Sequence, residues 1–394
     1  MIYIGIDVAK DKHDCFIINS EGEVLYDVFT IRNDLDGFES LYRKIKSVSK
    51  DLSKTKAGLE ATGHYSCNLL GFLKGKGLTT YVLNPLYTSQ CRKSISLRKT
   101  KTDKIDARTI AGIVLSDVSL KPYSDTLYHK TELKSLSRYR FDRVNERTKL
   151  KQSISRLVTI LFPELEELVS SLHVKAVYAL LTECPGASYI AECNLKHLTC
   201  LLSKASRGKF NTERAISIRD AARNSIGSVS YAKSLELKHT IRRILDINTE
   251  IEEIEAQIKS LMLSINSPIL GIPGIGIITG AMILSEVGDF SRFDNPDKLL
   301  AFAGCSPSTY QSGKIYSTHA KMEKRGSAYL RWALLLAAQR VCRWEPTFAA
   351  YLKKKCAEGK HYNTAVSHAA KKLVRLIYHL ESTGDSYRPK PLLS

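Results

Sequence analysis

At 394 residues, 43% of them hydrophobic, the chain is long enough to bury two or three cores and is globular rather than disordered. Its 59 lysines and arginines against 40 acidic residues leave a formal charge of +19, which points to a polyanionic partner, nucleic acid ahead of an anionic membrane surface. No apolar run approaches the roughly 18 residues that cross a bilayer. The chain opens on the strand-like MIYIGIDVA rather than a charged and then apolar leader, and its nine scattered cysteines include no CxxC pair, so a cytoplasmic protein without a membrane partner is expected.

The first 31 residues hold three strand-like runs, IYIGIDVA, HDCFIIN and EVLYDVFTI, separated by short polar turns that predict an antiparallel meander. Residues 34–48 then read as an amphipathic helix, KAGLEA as a buried strand, 65–75 as a helix and GLTTYVLN as a strand ending at Pro85. That alternation predicts parallel pairing. Three antiparallel strands followed by strand, helix, strand, helix is the order of the α/β ribonuclease H fold, in which acids at strand ends and on a late helix converge on divalent metals. Asp7 ends the first strand, and Glu60 closes the fourth in GLEATGHY. Asp103 and Asp106, in KTKTDKIDAR, stand where the late helix begins. Their i, i+3 spacing puts both on one helical face, about 5–6 Å apart at Cβ. Four hard oxygen donors suit Mg2+, as one or two ions, with Mn2+ as a substitute. Each acid also has a structural reading. Asp7 serves as well for a strand-end turn, with Asp11 or Asp14 as the relevant acid instead. Asp103 serves as an N-cap with Asp106 at N3, and Lys99, Lys101, Lys104 and Arg108 as neutralising surface charge.

From Leu133 to Leu168 apolar residues recur at helical spacing, Leu150, Ile154, Leu157 and Leu161 among them. Ile244, Ile247, Ile251, Ile254, Ile258, Leu261 and Ile265 step by three and four without a break, a heptad seam. Periodicity allows the two helices to pair as an antiparallel hairpin, or either to meet a second subunit. Between them, residues 170–232 predict short helices with a basic loop at Lys204–Lys209, either solvated surface or RNA contact. Cys193, His197 and Cys200 fall in a helical apolar stretch and read as core residues ahead of half a zinc site.

The C-terminal third brings GIPGIG, residues 271–276, before the apolar IITGAMILSEVGD. Gly274 and Gly276 there form either a plain turn between helices or a helix-hairpin-helix-like element whose backbone N–H groups approach phosphate. Residues 312–375 carry 14 lysines and arginines against 3 glutamates, a distribution suited to phosphate contact. Within this region Ser312 precedes Lys321, Lys324, Arg325 and Arg331. A serine hydroxyl is a weak nucleophile that nearby cations would assist, and on chemistry alone Ser306, Ser308, Ser317 and Ser327 compete with it.

IGIDVAKDKHDCFIIN, GLEATGHY, VLNP and KTKTDKIDARTIAG resemble, in order and spacing, the RuvC-like DEDD domain of a bacterial insertion-sequence transposase family, the bridge-RNA-guided recombinases. The PGIG element, AG-x-x-P, the SG dipeptide and K-R-G-x-x-x-L-R resemble the same family's C-terminal serine domain. The resemblance implies three regions: a RuvC-like DEDD catalytic domain at 1–125, a helical, coiled-coil region with a basic insert at 126–265, and a mainly α transposase domain at 266–394. It implies Asp7, Glu60, Asp103 and Asp106 as a metal-binding catalytic quartet. Ser312 would be the nucleophile of a covalent phosphoserine-DNA intermediate, with AGCSPSTYQSG departing from the pattern enough to keep Ser308 as an alternative. The implied partners are donor and target DNA, a structured non-coding guide RNA and further copies of the chain in a dimer or tetramer whose subunits share active sites, associated with the nucleoid during action. Arg98, Lys99, Lys101, Lys104, Gly274, Gly276, Lys321, Lys324, Arg325 and Arg331 are the implied nucleic-acid contacts. Two other functions compete: a metal-dependent junction-resolving endonuclease without serine chemistry, and a non-catalytic nucleic-acid-binding scaffold.

Overall fold

The computed structural model describes the chain except for residues 50, 61–64, 84, 96–102, 117–119, 121, 124–127, 307–310, 313–314, 317–321 and 390–394, and except for the side chains of 86, 92–95, 103–104, 128–130, 311–312 and 315–316. Two units emerge, Met1–Asp125 and Thr126–Ser394.

In the first unit, β1 (Ile2–Val8), β2 (Lys12–Asn19) and β3 (Val24–Arg32) form the antiparallel meander. The Asp34 carboxylate, accepting from the Gly37 amide at 2.8 Å, starts α1 (Leu35–Val48). There follow β4 (Thr55–Glu60), α2 (Ser66–Gly75), β5 (Thr79–Leu83), α3 (Pro85–Ile95) and α4 (Asp103–Ser116). The sheet order is β3-β2-β1-β4-β5, with β4 parallel to β1 and to β5, an order compatible with the ribonuclease H-like fold expected from the sequence. The short turns dictate the antiparallel half and the helical crossovers the parallel half.

Alternation sorts the strand residues onto two faces. Ile4, Ile6, Cys15, Ile17 and Leu59 pack with Leu41 and Ile45 of α1 and with Leu69 and Leu73 of α2. Tyr3, Phe16, Ile18, Tyr81 and Leu83 face the other way, toward Ala107, Ile110, Ala111 and Val114 of α4. On that second face Gly5 of β1 stands in register with Gly58 of β4. A Cβ on Gly5 would lie 2.0 Å from the Ala107 carbonyl oxygen and 2.5 Å from the Ala111 nitrogen, and one on Gly58 would lie 2.4 Å from a Val114 methyl. The two glycines form a saddle on which α4 rests, its backbone against Gly5 and its Val114 and Ile110 side chains against Gly58.

The second unit is helical apart from one two-stranded ribbon among its described residues. It contains α5 (Tyr128–Leu161), α6 (Leu165–Leu168), α7 (Lys175–Glu183), α8 (Ala187–Glu192), α9 (Leu195–Ser206), α10 (Thr212–Arg223), α11 (Tyr231–Ile265), α12 (Ile277–Val287) and α13 (Pro296–Phe302). β6 (Gln311–Ser312), β7 (Ile315–Tyr316), α14 (Ala328–Trp344), α15 (Pro346–Ala357) and α16 (Tyr362–Thr383) complete it. Of the two pairings that periodicity allowed, α5 and α11 form the intramolecular antiparallel one: Arg140 meets Glu255, Arg147 meets Asn248 and Arg156 meets Glu236. Ile244, Ile247, Ile251, Ile254 and Ile258 are buried along the seam. At its end Met262 takes the buried position, while Leu261 and Ile265 are only partly covered. The pair spans two cores. At one end Ile154, Leu157, Leu237 and Ile241 pack with the short helices α6 to α10, and at the other Leu133, Ile258 and Met262 pack with α12 to α16. No helix among the described residues is long and apolar enough to cross a membrane.

One buried charge ties the second of these cores together. Glu286 of α12, its side chain only 1% exposed, accepts from Arg138 of α5 at 2.5 and 3.0 Å and from the Ser327 hydroxyl at 2.6 Å. Ser327 in turn caps α14 by accepting from the Leu330 amide. Burial alone would raise the Glu286 carboxyl. The hydrogen bonds from Arg138 and Ser327 and the charge of Lys134 outweigh it and hold the group below its usual value.

Gly5→Ala is expected to cost about 1–3 kcal/mol by overpacking the saddle, whereas Gly112→Ala, in the interior of α4 with open space around its Cβ position, gains about 0.5–1 kcal/mol of helix propensity; urea titration of the two variants checks the contrast. A carboxyl depressed by folding contributes stability that is complete above its unfolded pKa and is lost as the pH falls through the folded one. The melting temperature should therefore drop on acidification below the ordinary glutamate value of 4.5, and Glu286→Gln should flatten that limb, read by calorimetry across the acid range.

Candidate active site

The register between β1 and β4 ends with the pair Ile6 and Leu59, and the next residue of each strand is Asp7 and Glu60, at the C-terminal ends of adjacent parallel strands. Each acid follows a saddle glycine by two residues, Gly5-Ile6-Asp7 and Gly58-Leu59-Glu60, so strand alternation turns both toward α4. Both are half-buried. On α4 itself Ala107 lies against Gly5, and the residue before it, Asp106, is 8% exposed. Asp103 opens the helix one turn earlier, and its side chain lies outside the described residues.

Of the two alternative acids, Asp14 shares this face and Asp11 does not. Asp14 sits directly opposite Asp7 in the antiparallel pair, is 7% exposed and accepts from the Thr30 hydroxyl. Asp11 is exposed in the turn between β1 and β2, its carbonyl taken by the Asn33 amide. Among the described residues no three His, Cys, Asp or Glu converge closely enough to hold an ion by themselves. The donors on this face are carboxylates throughout, which fits Mg2+, an ion that keeps several waters and needs one or two carboxylates rather than a closed protein cage. His197 pairs with Glu183 instead of with Cys193 and Cys200, and the Cys193 thiol points to the Asn194 carbonyl.

Arg98, Lys99, Lys101 and Lys321 lie outside the described residues, as does the side chain of Lys104. Arg108 is engaged within its own unit, 2.6 Å from Asp27 and over the Phe16 ring.

The ribbon carrying Ser312 is held at its stem. Ser312 pairs with Ile315 through the backbone, and its side chain, like all of Ser308, lies outside the described residues. Below it, the Lys324 amide donates to Gly304 and the Glu323 amide to Ser306, each at 3.1 Å. Gly304 and Gly326 adopt φ of +66° and +121°. A Cβ on the first would lie 2.3 Å from the Arg325 carbonyl oxygen, and one on the second 2.1 Å from that of Phe302. The glycines of the AG-x-x-P and K-R-G motifs thus let the two stem segments touch backbone to backbone. Arg331 closes the stem, its Nη1 donating to Ala303 O at 3.3 Å and Lys324 O at 3.2 Å. Lys324 and Arg325 are exposed at the same place.

In GIPGIG, Gly274 brings the turn against α14, where a Cβ would lie 2.7 Å from the Arg340 carbonyl carbon and the Val341 nitrogen. Gly276 starts α12 with open space at its Cβ position. The sequence reading missed the saddle glycines, the Arg331 clamp and the Glu286 network. The repeated pattern of a glycine two residues before an acid was the available signal for the first.

Comparison with known proteins places two domains on the chain: residues 4–163 match the DEDD-type IS110 transposase domain, and residues 266–353 match the domain described as transposase IS116/IS110/IS902 family. The uncharacterized 44.8 kDa protein of insertion element IS116 from Streptomyces clavuligerus is 24% identical over 99% of this chain and 97% of its own. The corresponding protein of IS900 from Mycobacterium paratuberculosis is 24% identical over 98% and 97%. The pilin gene-inverting protein of Moraxella bovis is 24% identical over 95% and 94%. The chain thus carries both transposase domains of the IS110/IS116 family in order and is similar over nearly its whole length to proteins of insertion elements.

Proposed function

We propose that the protein cuts and rejoins DNA strands at the ends and targets of an insertion sequence, with a carboxylate site in its first unit and a serine nucleophile in its second. The observation that carries this reading is the seating of α4 on Gly5 and Gly58, which brings the Asp106 end of the helix to the sheet face on which Asp7 and Glu60 end their strands. Asp7, Glu60, Asp103 and Asp106 are the residues that would hold Mg2+ or Mn2+ in a ribonuclease H-like arrangement. Asp14 adds a further negative charge opposite Asp7, where like charges repel unless a cation lies between them. When bound there, one or two such ions supply Lewis-acid stabilisation of charge developing on a phosphodiester.

Ser312 would attack a DNA phosphorus, forming a Ser–O–P bond as a deoxyribose oxygen leaves. The phosphodiester energy is thereby kept for rejoining to another strand. Lys324 and Arg325 are exposed at the stem of its ribbon and suit phosphate contacts, with Gly274 and Gly276 as a helix-hairpin-helix-like backbone contact. Arg331, spent on two carbonyls, acts as a positioning residue. A structured non-coding RNA paired to donor and target supplies sequence choice in this reading. Subunits of a dimer or tetramer contribute the two catalytic parts.

The test is incubation with element DNA and RNA followed by denaturing electrophoresis. A protein–DNA adduct should form with the native chain and vanish in Ser312→Ala and Asp7→Ala. Cleavage that persists in Ser312→Ala would make the protein a hydrolytic, junction-resolving endonuclease instead. In Arg331→Ala, which removes both bonds from Nη1 to the stem carbonyls, adduct formation should slow about tenfold or more through misplacement of the nucleophile. DNA affinity should stay unchanged. Lost affinity with a normal rate once bound would return Arg331 to the phosphate contacts.

A further inference from the structure

The second unit has an open cleft of about 560 Å3 whose walls carry no acid: Pro273, Gly274, Ile275 and Gly276 on one side, Arg340 and Trp344 of α14 on the other. Trp344 is 67% exposed. The protein's other tryptophan, Trp332, packs edge-on against Phe141 with ring centroids 4.8 Å apart. Trp344 seals no core, since the inward positions of α14 are filled by Leu330, Leu334, Ala337 and Val341. Arg340, four residues earlier and so on the same helical face, is exposed and anchored through Nη1 to the Thr279 hydroxyl at 3.4 Å. The Arg343 guanidinium lies 6.0 Å from the centre of the Trp344 ring. The nearest acid along the chain, Glu345, is turned away: it is 1% exposed, and its Oε2 accepts from the Thr347 hydroxyl and the Phe348 amide.

A flat exposed π face between two cations, in a wall without carboxylates, is the composition of a nucleotide-stacking platform. The volume falls within the roughly 300–1,000 Å3 of sites that hold one small ligand, enough for a single nucleotide. We infer that this cleft binds an unpaired nucleotide of single-stranded DNA, its base stacked on Trp344 and its phosphate facing Arg340 and Arg343. The inference rests on the proposed function, because cutting and exchanging strands frees nucleotides from their pairs. It shares Gly274 and Gly276 with the proposed backbone contact and adds to them a base-stacking face, Trp344, made by neither the carboxylates nor Ser312.

The test uses the full chain and the anisotropy of a labelled oligothymidine, with a duplex and an oligouridine of the same length for comparison. Trp344→Ala should weaken oligothymidine binding roughly 5- to 150-fold, the range for removing one stacking aromatic. Trp344→Phe, which keeps a ring, should lose far less. Duplex affinity should change little, and Arg340→Gln should lower the slope of log affinity against log salt by about 0.7. Unchanged oligothymidine affinity in Trp344→Ala, or an equal loss for the duplex, overturns the inference. Tighter binding of oligouridine with the same dependence on Trp344 assigns the cleft to RNA and overturns the commitment to DNA. These equilibrium readings are independent of adduct formation, so failure of the serine mechanism and failure of the stacking site are told apart.

Discussion

The first unit is organised by one contact, the seating of α4 on the Gly5 and Gly58 pair, through its backbone at the first and through Val114 and Ile110 at the second. The acids of interest come from residues distant along the chain, and the height of α4 above the sheet decides whether those on the helix reach the level of those at the strand ends. A side chain at either glycine would lift the helix. Ala107 and Ala111 continue the same economy of size on the helix side, and Ile110 and Val114 supply the apolar cover to either flank. Asp14 then faces Asp7 across the strand pair, and Asp106 is nearly buried on α4. Apolar packing on both faces of the sheet supplies the stability of the unit.

The ribbon of the second unit is anchored by the same means. Its stem is fixed by close backbone approach at Gly304 and Gly326 and by a guanidinium bridging two carbonyls, rather than by apolar side chains. From the stem the chain passes into Ser327, which is tied through Glu286 to Arg138. Arg138 belongs to α5, the helix that with α11 spans both helical cores. The salt bridges along that pair are half-exposed and individually worth little. Together they set which turn of one helix faces which turn of the other, while the isoleucine seam supplies the energy.

The three strands of the meander were legible in the sequence because each is an apolar-rich run bounded by short polar turns, two of them buried and the third, β3, at the half-exposed edge. The seam of α11 was legible because its spacing never breaks. α3 was not read, since PLYTSQCRKSI carries no apolar stripe and is placed by α4 rather than by its own pattern. Partner choice for the long helices was equally invisible, because a seam states that something is covered and not by what. Among the candidate site residues, the acids could be named from position at strand ends and helix start, whereas the roles of the arginines could not. Arg331 and Arg108 both sit in basic stretches that suggest phosphate, and both reach partners brought near only by folding, two carbonyls for one and Asp27 with Phe16 for the other. A long flexible cation advertises its charge in the sequence and its partner only in the fold.

That distinction sharpens what the formal charge of +19 means. Along α5 and α11 several arginines are matched by glutamates, although the two helices together still carry 14 lysines and arginines against 9 acids. From α14 onward the three glutamates are already committed: Glu345 is buried as a cap, Glu358 is held by Lys355, and Glu381 accepts from Ser267. Against them stand Arg340 and Arg343, Lys353 and Lys354, Lys360, and the pair Lys371 and Lys372. Such crowding of like charge works against the folded state of the isolated unit. A polyanion reverses the sign of that contribution, because each phosphate it brings near relieves the repulsion and releases counterions. The charge that weakens the free unit therefore favours the complex, most strongly at low salt, where the field of the unmatched cations extends furthest.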